Sequence, residues 1–141
     1  MFVLDTDSIT HHQNGHPILS GKVGETAREQ LFTTSVTVEE QLKGRIAYVN
    51  NQRNSARKLA QGHAALVRTI TYFSRWNILL YTEEADSIAR QLRKQRIRIG
   101  SQDLRIAAIA LLHGFTVVTG NVSDFVQVPN LQVEDWTTTT Q

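Results

Sequence analysis

The chain has 141 residues, 40% hydrophobic and 20% charged, with 15 Lys and Arg against 13 Asp and Glu and no cysteine. That length suits one globular domain with a real core, expected over residues 1–136 with 137–141 as a disordered tail. The lack of cysteine excludes a disulfide framework, a thiolate nucleophile and any Cys-ligated metal, and it points to a reducing cytoplasm.

In chain order, Phe2-Val3-Leu4 is a short apolar run stopped by Asp5, as a buried parallel strand would be. It has no basic lead, so no secretory signal is expected. His11 to Gly24 carries three glycines and Pro17 and is expected to be a loop joining two helices. Val23, Ala27 and Leu31 fall at helical spacing and predict a helix over 23–32. Thr34 to Thr37 is β-prone, and Thr37 is a candidate N-cap for a helix whose third position is Glu40.

From Val38 to Trp76 the sequence is helix-compatible, with a polar break at Asn50 to Asn54 that predicts a helical hairpin. Leu59, His63, Leu66, Ile70 and Phe73 share a stripe on its second helix, with His63 expected to be partly buried. Ile78 to Tyr81 reads as a strand, and Thr82 opens a helix whose basic last turn suits the helix dipole. Gly100 to Asp103 opens an apolar helix that stops at His113-Gly114, where His113 also suits the dipole. Phe115 to Val118 is the next strand, and Leu131 to Val133 is a final edge strand. The small Ala107-Ala108-Ala110 face suits close helix–sheet packing. The apolar run from Ile106 to Val118 is too short to span a bilayer, which takes about 20 residues. Alternating strands and helices predict an α/β fold with a central parallel sheet of four to five strands.

In such a sheet, ligands bind beyond the carboxyl ends of the strands. Asp5 and Asp7 follow the first strand, Glu40 follows the second, Asp103 sits at a helix start, and Asn121 and Asp124 follow the late strand. A junction Asp is ordinarily a helix cap. Acids gathered on one rim repel one another and call for shared protons or a bound cation. Oxygen-only ligation suits Mg²⁺ or Mn²⁺. Net charge is only +2, yet residues 43–98 hold twelve basic residues and three acids. That basic middle suits a polyanion partner, or simply a solvated helical surface. The loop histidines His11, His12 and His16 match no zinc spacing and are expected to face solvent.

Four segments, Phe2-Val3-Leu4-Asp5-Thr6-Asp7, Ser35 to Gly44, Gly100 to Ala108 and Val118 to Phe125, resemble in order the PIN-domain ribonucleases, and among them the VapC-type toxins of bacterial toxin–antitoxin pairs. The resemblance runs on to Trp136. It implies a three-layer α/β/α PIN-like fold with the hairpin as an insertion. Asp5, Glu40, Asp103 and Asp124 match the family's acidic quartet, with Asp5 and Asp103 as metal ligands and Asp7, Thr119 and Asn121 shaping the pocket. Glu39 competes with Glu40, but the spacing from Thr37 and to Gly44 selects Glu40. Gly120 departs from the pattern, standing where many relatives carry Arg or another polar residue.

The implied chemistry is metal-dependent hydrolysis of an RNA phosphodiester, with water attacking in line and leaving 5′-phosphate and 3′-hydroxyl ends. Lys43, Arg45, Arg96 and Arg98 are candidate RNA contacts. Tyr72, Trp76 and Tyr81 are candidate stacking residues, though packing explains them more simply. The resemblance also implies a small cognate antitoxin wrapping an exposed apolar strip of the hairpin, and a homodimer. Two alternatives stand beside it. One is a haloacid-dehalogenase-like phosphatase using Asp5 as phosphoryl acceptor, which lacks the expected Lys and leaves Glu40 unexplained. The other is a PIN fold kept only for binding RNA or protein.

Overall fold

A computed structural model describes residues 1–139. Five parallel strands are arranged in the order β3-β2-β1-β4-β5: β1 (Phe2–Leu4), β2 (Leu31–Thr34), β3 (Asn77–Leu79), β4 (Thr116–Val118) and β5 (Val133–Glu134). The first strand is central, with Val3 opposite Phe32 on one side and Val117 on the other. Because successive strand residues face opposite ways, Val3 and Val117 enter one core while Leu4 and Val118 enter another.

The helices divide between those cores. Helices α5 (Glu83–Lys94) and α6 (Ser101–His113) cover the first through Ala85, Leu92, Leu104 and Ile109. The second holds Ile9 of α1 (Thr6–Gln13), Leu19 of α2 (Pro17–Glu25) and Phe73 of α4 (Ala56–Phe73). The result is the expected three-layer α/β/α arrangement. Ala107, Ala108 and Ala110 are fully buried, in keeping with the close packing read from their size. Trp136 closes the second core against Phe2, with ring centroids 5.0 Å apart.

The hairpin is α3 (Ser35–Asn51) and α4, as expected, with the break at 52–55, shifted slightly from the predicted Asn50 to Asn54 because Asn50 and Asn51 still belong to α3. It can close because Gly62 has no side chain: a Cβ there would lie 3.0 Å from the Tyr48 ring. The predicted α4 stripe is only partly buried. Phe73 is enclosed, whereas His63 is exposed, contrary to expectation, and Ile70 is 53% exposed.

Other local expectations need correction. His11 to Gly24 is not a loop: α1 runs to Gln13, a turn with Gly15 at φ 74° follows, and Pro17 begins α2. Proline there costs nothing, since its missing N–H falls among those a helix start leaves unpaired. The helix expected over 23–32 ends at Glu25, because Leu31 and Phe32 are taken into the sheet beside Phe2 and Val3. The N-cap of α3 is Thr34, which accepts from the Thr37 N–H, so Glu40 lies well inside the helix and forms no capping box. The third and fifth strands are shifted from 78–81 and 131–133 to 77–79 and 133–134. A short helix, α7 (Val122–Phe125), stands where none was expected. Of the predicted tail, Thr137 donates both its N–H and its hydroxyl to Asp135 Oδ1, and residues 140–141 lie outside the described ones.

Candidate active site

The carboxyl ends of β1, β2 and β4 meet the starts of α1, α3, α6 and α7, and the acids gather at that rim. Asp5 caps α1, its Oδ1 accepting from the Ser8 N–H at 2.8 Å. It is only 2% exposed. Burial pushes its carboxyl up to about 6, and Asp103 adds to the rise against the lowering effect of hydrogen bonds from Thr119 and Ser8. Thr119, fully buried after β4, also accepts from the Asn121 N–H at 2.9 Å. One threonine hydroxyl thus ties the ends of the two central strands together.

Glu40 is held from α1, with Thr6 Oγ1 donating to its Oε1 at 2.6 Å and lying 3.0 Å from the buried Thr37 hydroxyl. Glu39 is exposed and accepts from Gln102 at 3.2 Å, so the structure turns Glu40 and not Glu39 toward α1. On a helix, neighbours point about 100° apart. Asp103 lies in the first turn of α6, whose Gly100 cap makes no side-chain hydrogen bond. Its carboxyl is held above the usual range, by partial burial first and then by the charges of Glu40, Asp124 and Asp7. Asp124, in the first turn of α7, accepts from Asn121 Nδ2 at 2.7 Å. Asp5 alone of the four caps a helix; the helix-capping alternative therefore does not account for Glu40, Asp103 or Asp124.

Asp7 is more exposed, with His11 Nε2 at 3.7 Å. A Cβ added at Gly120 would lie 3.3 Å from Asp7 Oδ2, so the glycine gives that carboxylate room. The departure at Gly120 and the acid at Asp7 are thus one local arrangement. Thr6 and Ser8 carried no site expectation from the sequence, and Thr37 was expected only as a helix cap; the one available signal for Thr6 is its place between Asp5 and Asp7.

The donor chemistry suits a hard divalent cation: the charge of Asp103 acts on Asp5, those of Glu40, Asp124 and Asp7 act on Asp103, and both carboxyls are raised. Among the described residues the ion pairs are His11 with Asp7 and Arg90 with Asp86, so no Lys or Arg pairs with the quartet. Among the described residues no three His, Asp or Glu side chains are grouped so as to hold a metal ion by themselves.

The basic candidates are dispersed. Lys43 is exposed on the Glu39 side of α3, beside Tyr81 and Arg105, whereas Arg45 Nε donates across the hairpin to Thr69 at 3.0 Å. Ile97 and Ile99 are buried and leave Arg96 and Arg98 exposed between α5 and α6. The aromatic candidates serve packing. Tyr72 bonds His12 Nδ1 at 2.7 Å, Trp76 stands edge-on to His12, and Tyr81 donates to Asp86 at 2.6 Å. The histidines are correspondingly not loop residues: His11 and His12 end α1, and His16 Nδ1 accepts from the Leu19 N–H as the cap of α2. Burial lowers the His12 pKa.

The PIN domain family model matches residues 2–131. Ribonuclease VapC1 of Rickettsia felis is 33% identical over 105 residues, covering 74% of this chain and 75% of that one. The tRNA(fMet)-specific endonuclease VapC of Salmonella typhimurium is 26% identical over 139 residues, covering 96% and 97%. The solved structure of VapBC-1 from nontypeable Haemophilus influenzae superposes with a TM-score of 0.76 at 26% identity, covering 97% of this chain and 98% of that one. This relationship displaces the phosphatase alternative. The chain belongs to the PIN-domain family, on its VapC ribonuclease branch.

Proposed function

We propose that the protein is a Mg²⁺-dependent endoribonuclease, with Mn²⁺ as a substitute, and the toxin of a VapBC-type pair acting in the cytoplasm. The observation that carries this is the raised, uncompensated Asp5–Asp103 pair, with Glu40 and Asp124 beside it, in a chain of VapC descent. Asp5 and Asp103 would hold the ion. When bound, it lowers the pKa of water and neutralises charge on the phosphoryl group. Glu40, fixed by Thr6, orients the attacking water and accepts its proton. Asp124, fixed by Asn121, adds to the negative field that retains the cation, while Thr119 keeps Asp5 aligned.

The relatives support a partner as well, since several of the solved homologues are VapBC complexes. A small antitoxin covering the exposed Ile46, Val67 and Ile70 of the hairpin would hold the toxin inactive, and the free toxin would form a homodimer. Among the described residues no helix is long and apolar enough to cross a membrane.

The test is cleavage of total cellular RNA by purified protein with Mg²⁺, with EDTA, and with Asp5→Asn and Asp103→Asn. Discrete cleavage that needs metal and vanishes in both variants is expected. RNA binding without cleavage, equal in all three proteins, would refute the nuclease and leave a binding module.

A further inference from the structure

Resting on the ribonuclease reading, we infer that the groove between α1, α3 and α4 is a second RNA-backbone site, in which Arg45, Arg68 and Arg75 take phosphates of a strand whose scissile bond lies at the acidic rim. The groove has a volume of about 820 Å³. Those three arginines line it, together with His12 and Tyr72, and no Asp or Glu does. In a chain with 13 acids, a groove of this size lined by three arginines and no acid is complementary to a polyanion.

The arginines are unspent. Among the described residues the side chains of Arg68 and Arg75 have no hydrogen bond and no ion pair, and both are exposed. Arg45 is pre-positioned, because its Nε is held by Thr69, whose hydroxyl is itself anchored on the Ala65 carbonyl. That single bond fixes the guanidinium plane and leaves its other donors for a ligand. Polar edges suited to ribose and bases surround them, from Thr10, Gln13, Asn14 and Gln41.

The groove is continuous with the acids. Thr6 holds Glu40, Gln41 reaches Thr10 one turn along α1 at 3.2 Å, and Gln41 exchanges hydrogen bonds with Gln13 one turn further at 2.7 and 2.9 Å. This seam carries a strand about 10 Å along α1 from rim to arginines, at 1.5 Å of helix per residue, a distance spanned by a few nucleotides. A substrate too short to reach the groove would therefore lose these contacts and keep the chemistry.

The test compares Arg68→Gln/Arg75→Gln with a control of equal charge loss, Arg57→Gln/Lys58→Gln, at exposed positions near the start of α4. Binding of a labelled single-stranded RNA 12-mer is followed by anisotropy in EDTA across salt concentrations, and cleavage of the 12-mer and of a trinucleotide is followed in Mg²⁺. The groove variant should bind the 12-mer about tenfold more weakly, with the salt slope reduced by about 1.4 for two phosphate contacts on a single strand. Its KM for the 12-mer should rise with kcat unchanged, and trinucleotide cleavage should match the wild type. The control should shift binding by less than about threefold. Equal loss in both variants, or none in the groove variant while the wild type still binds and cleaves, would overturn the groove alone and leave it to a protein partner. A wild type that neither binds nor cleaves RNA would overturn the ribonuclease reading, and the groove assignment with it.

Discussion

Asp5 is buried, negatively charged at neutral pH, and paired with no cation among the described residues, so the fold without metal should be more stable once that charge is removed. Asp5→Asn is the apt change, because Asn caps a helix as well as Asp does and can still accept the Ser8 N–H. The carboxyl stands at about 6 in the fold against an ordinary 3.8. The folded state therefore binds this proton more tightly than the unfolded chain, and stability drains away as pH rises from about 4 through 6. At 1.36 kcal/mol per unit, the loss at pH 7.5 is about 3 kcal/mol at most, falling to about 1 kcal/mol at pH 4.5. In EDTA the variant should be the more stable protein at pH 7.5, by up to that amount, and the gap should narrow toward pH 4.5. Urea unfolding of both proteins across that range measures it. Saturating Mg²⁺ should then stabilise the wild type far more than the variant, since only the native wild-type site gains binding free energy. A variant no more stable than the wild type at pH 7.5 in EDTA, or a gap independent of pH, would refute the reasoning.

Glu40→Gln should lower RNA cleavage by about 10²–10⁴-fold, the usual cost of losing a positioned base, while Glu39→Gln should stay within about twofold of wild type; initial rates on one RNA substrate separate them. Thr34→Ala removes the cap of α3 and should cost about 1 kcal/mol in denaturant unfolding, more than the same change at the exposed Thr71 of α4. Tyr72→Phe deletes the partner of His12 Nδ1 and should cost about 1 kcal/mol by the same assay; an unchanged midpoint would mean that the pair contributes nothing.

How much of this was readable in the sequence depends on where each element gets its stability. The first and fourth strands are apolar runs ended by Asp5 and by Thr119-Gly120, and local pattern suffices for them. The second strand is four residues long, and its Leu31 continues a helical spacing from Val23; only pairing with Phe2 and Val3, some thirty residues away, makes it a strand. The sequence pattern places the cap of α3 at Thr37, but Thr34 is an equally good cap by residue type. Tertiary structure decides between them by enclosing Thr37 completely beside the Thr6 hydroxyl. Glu39 and Glu40 are equivalent by composition; the spacing from Thr37 and to Gly44 favours Glu40, and the structure gives the physical reason, since the turn of the helix brings Glu40 to Thr6 of α1 and Glu39 to Gln102.

The acids were legible for a different reason: Asp5, Glu40 and Asp124 follow strands and Asp103 opens a helix, so they fall at the rim where a parallel sheet binds its ligands. This protein has no shortage of cations, with 15 Lys and Arg, yet none pairs with the quartet among the described residues. Arg105 makes the point most directly. It lies two residues from Asp103, but its guanidinium is engaged by Gln102 at 2.7 Å and bears on Asp86 and Tyr81. Moving one arginine by a turn would neutralise the rim and relieve the penalty on Asp5, and a chain selected for stability alone would gain by it. Instead the basic residues stand aside, on the hairpin groove and on the turn before α6, where a polyanion can meet them. On the proposed reading, separating the charges would leave the acids available to a metal and the arginines to phosphates. The destabilisation at Asp5 and the open guanidinium groups of Arg68 and Arg75 would then have a common origin, a fold that holds its own opposite charges apart so that each can act on a ligand.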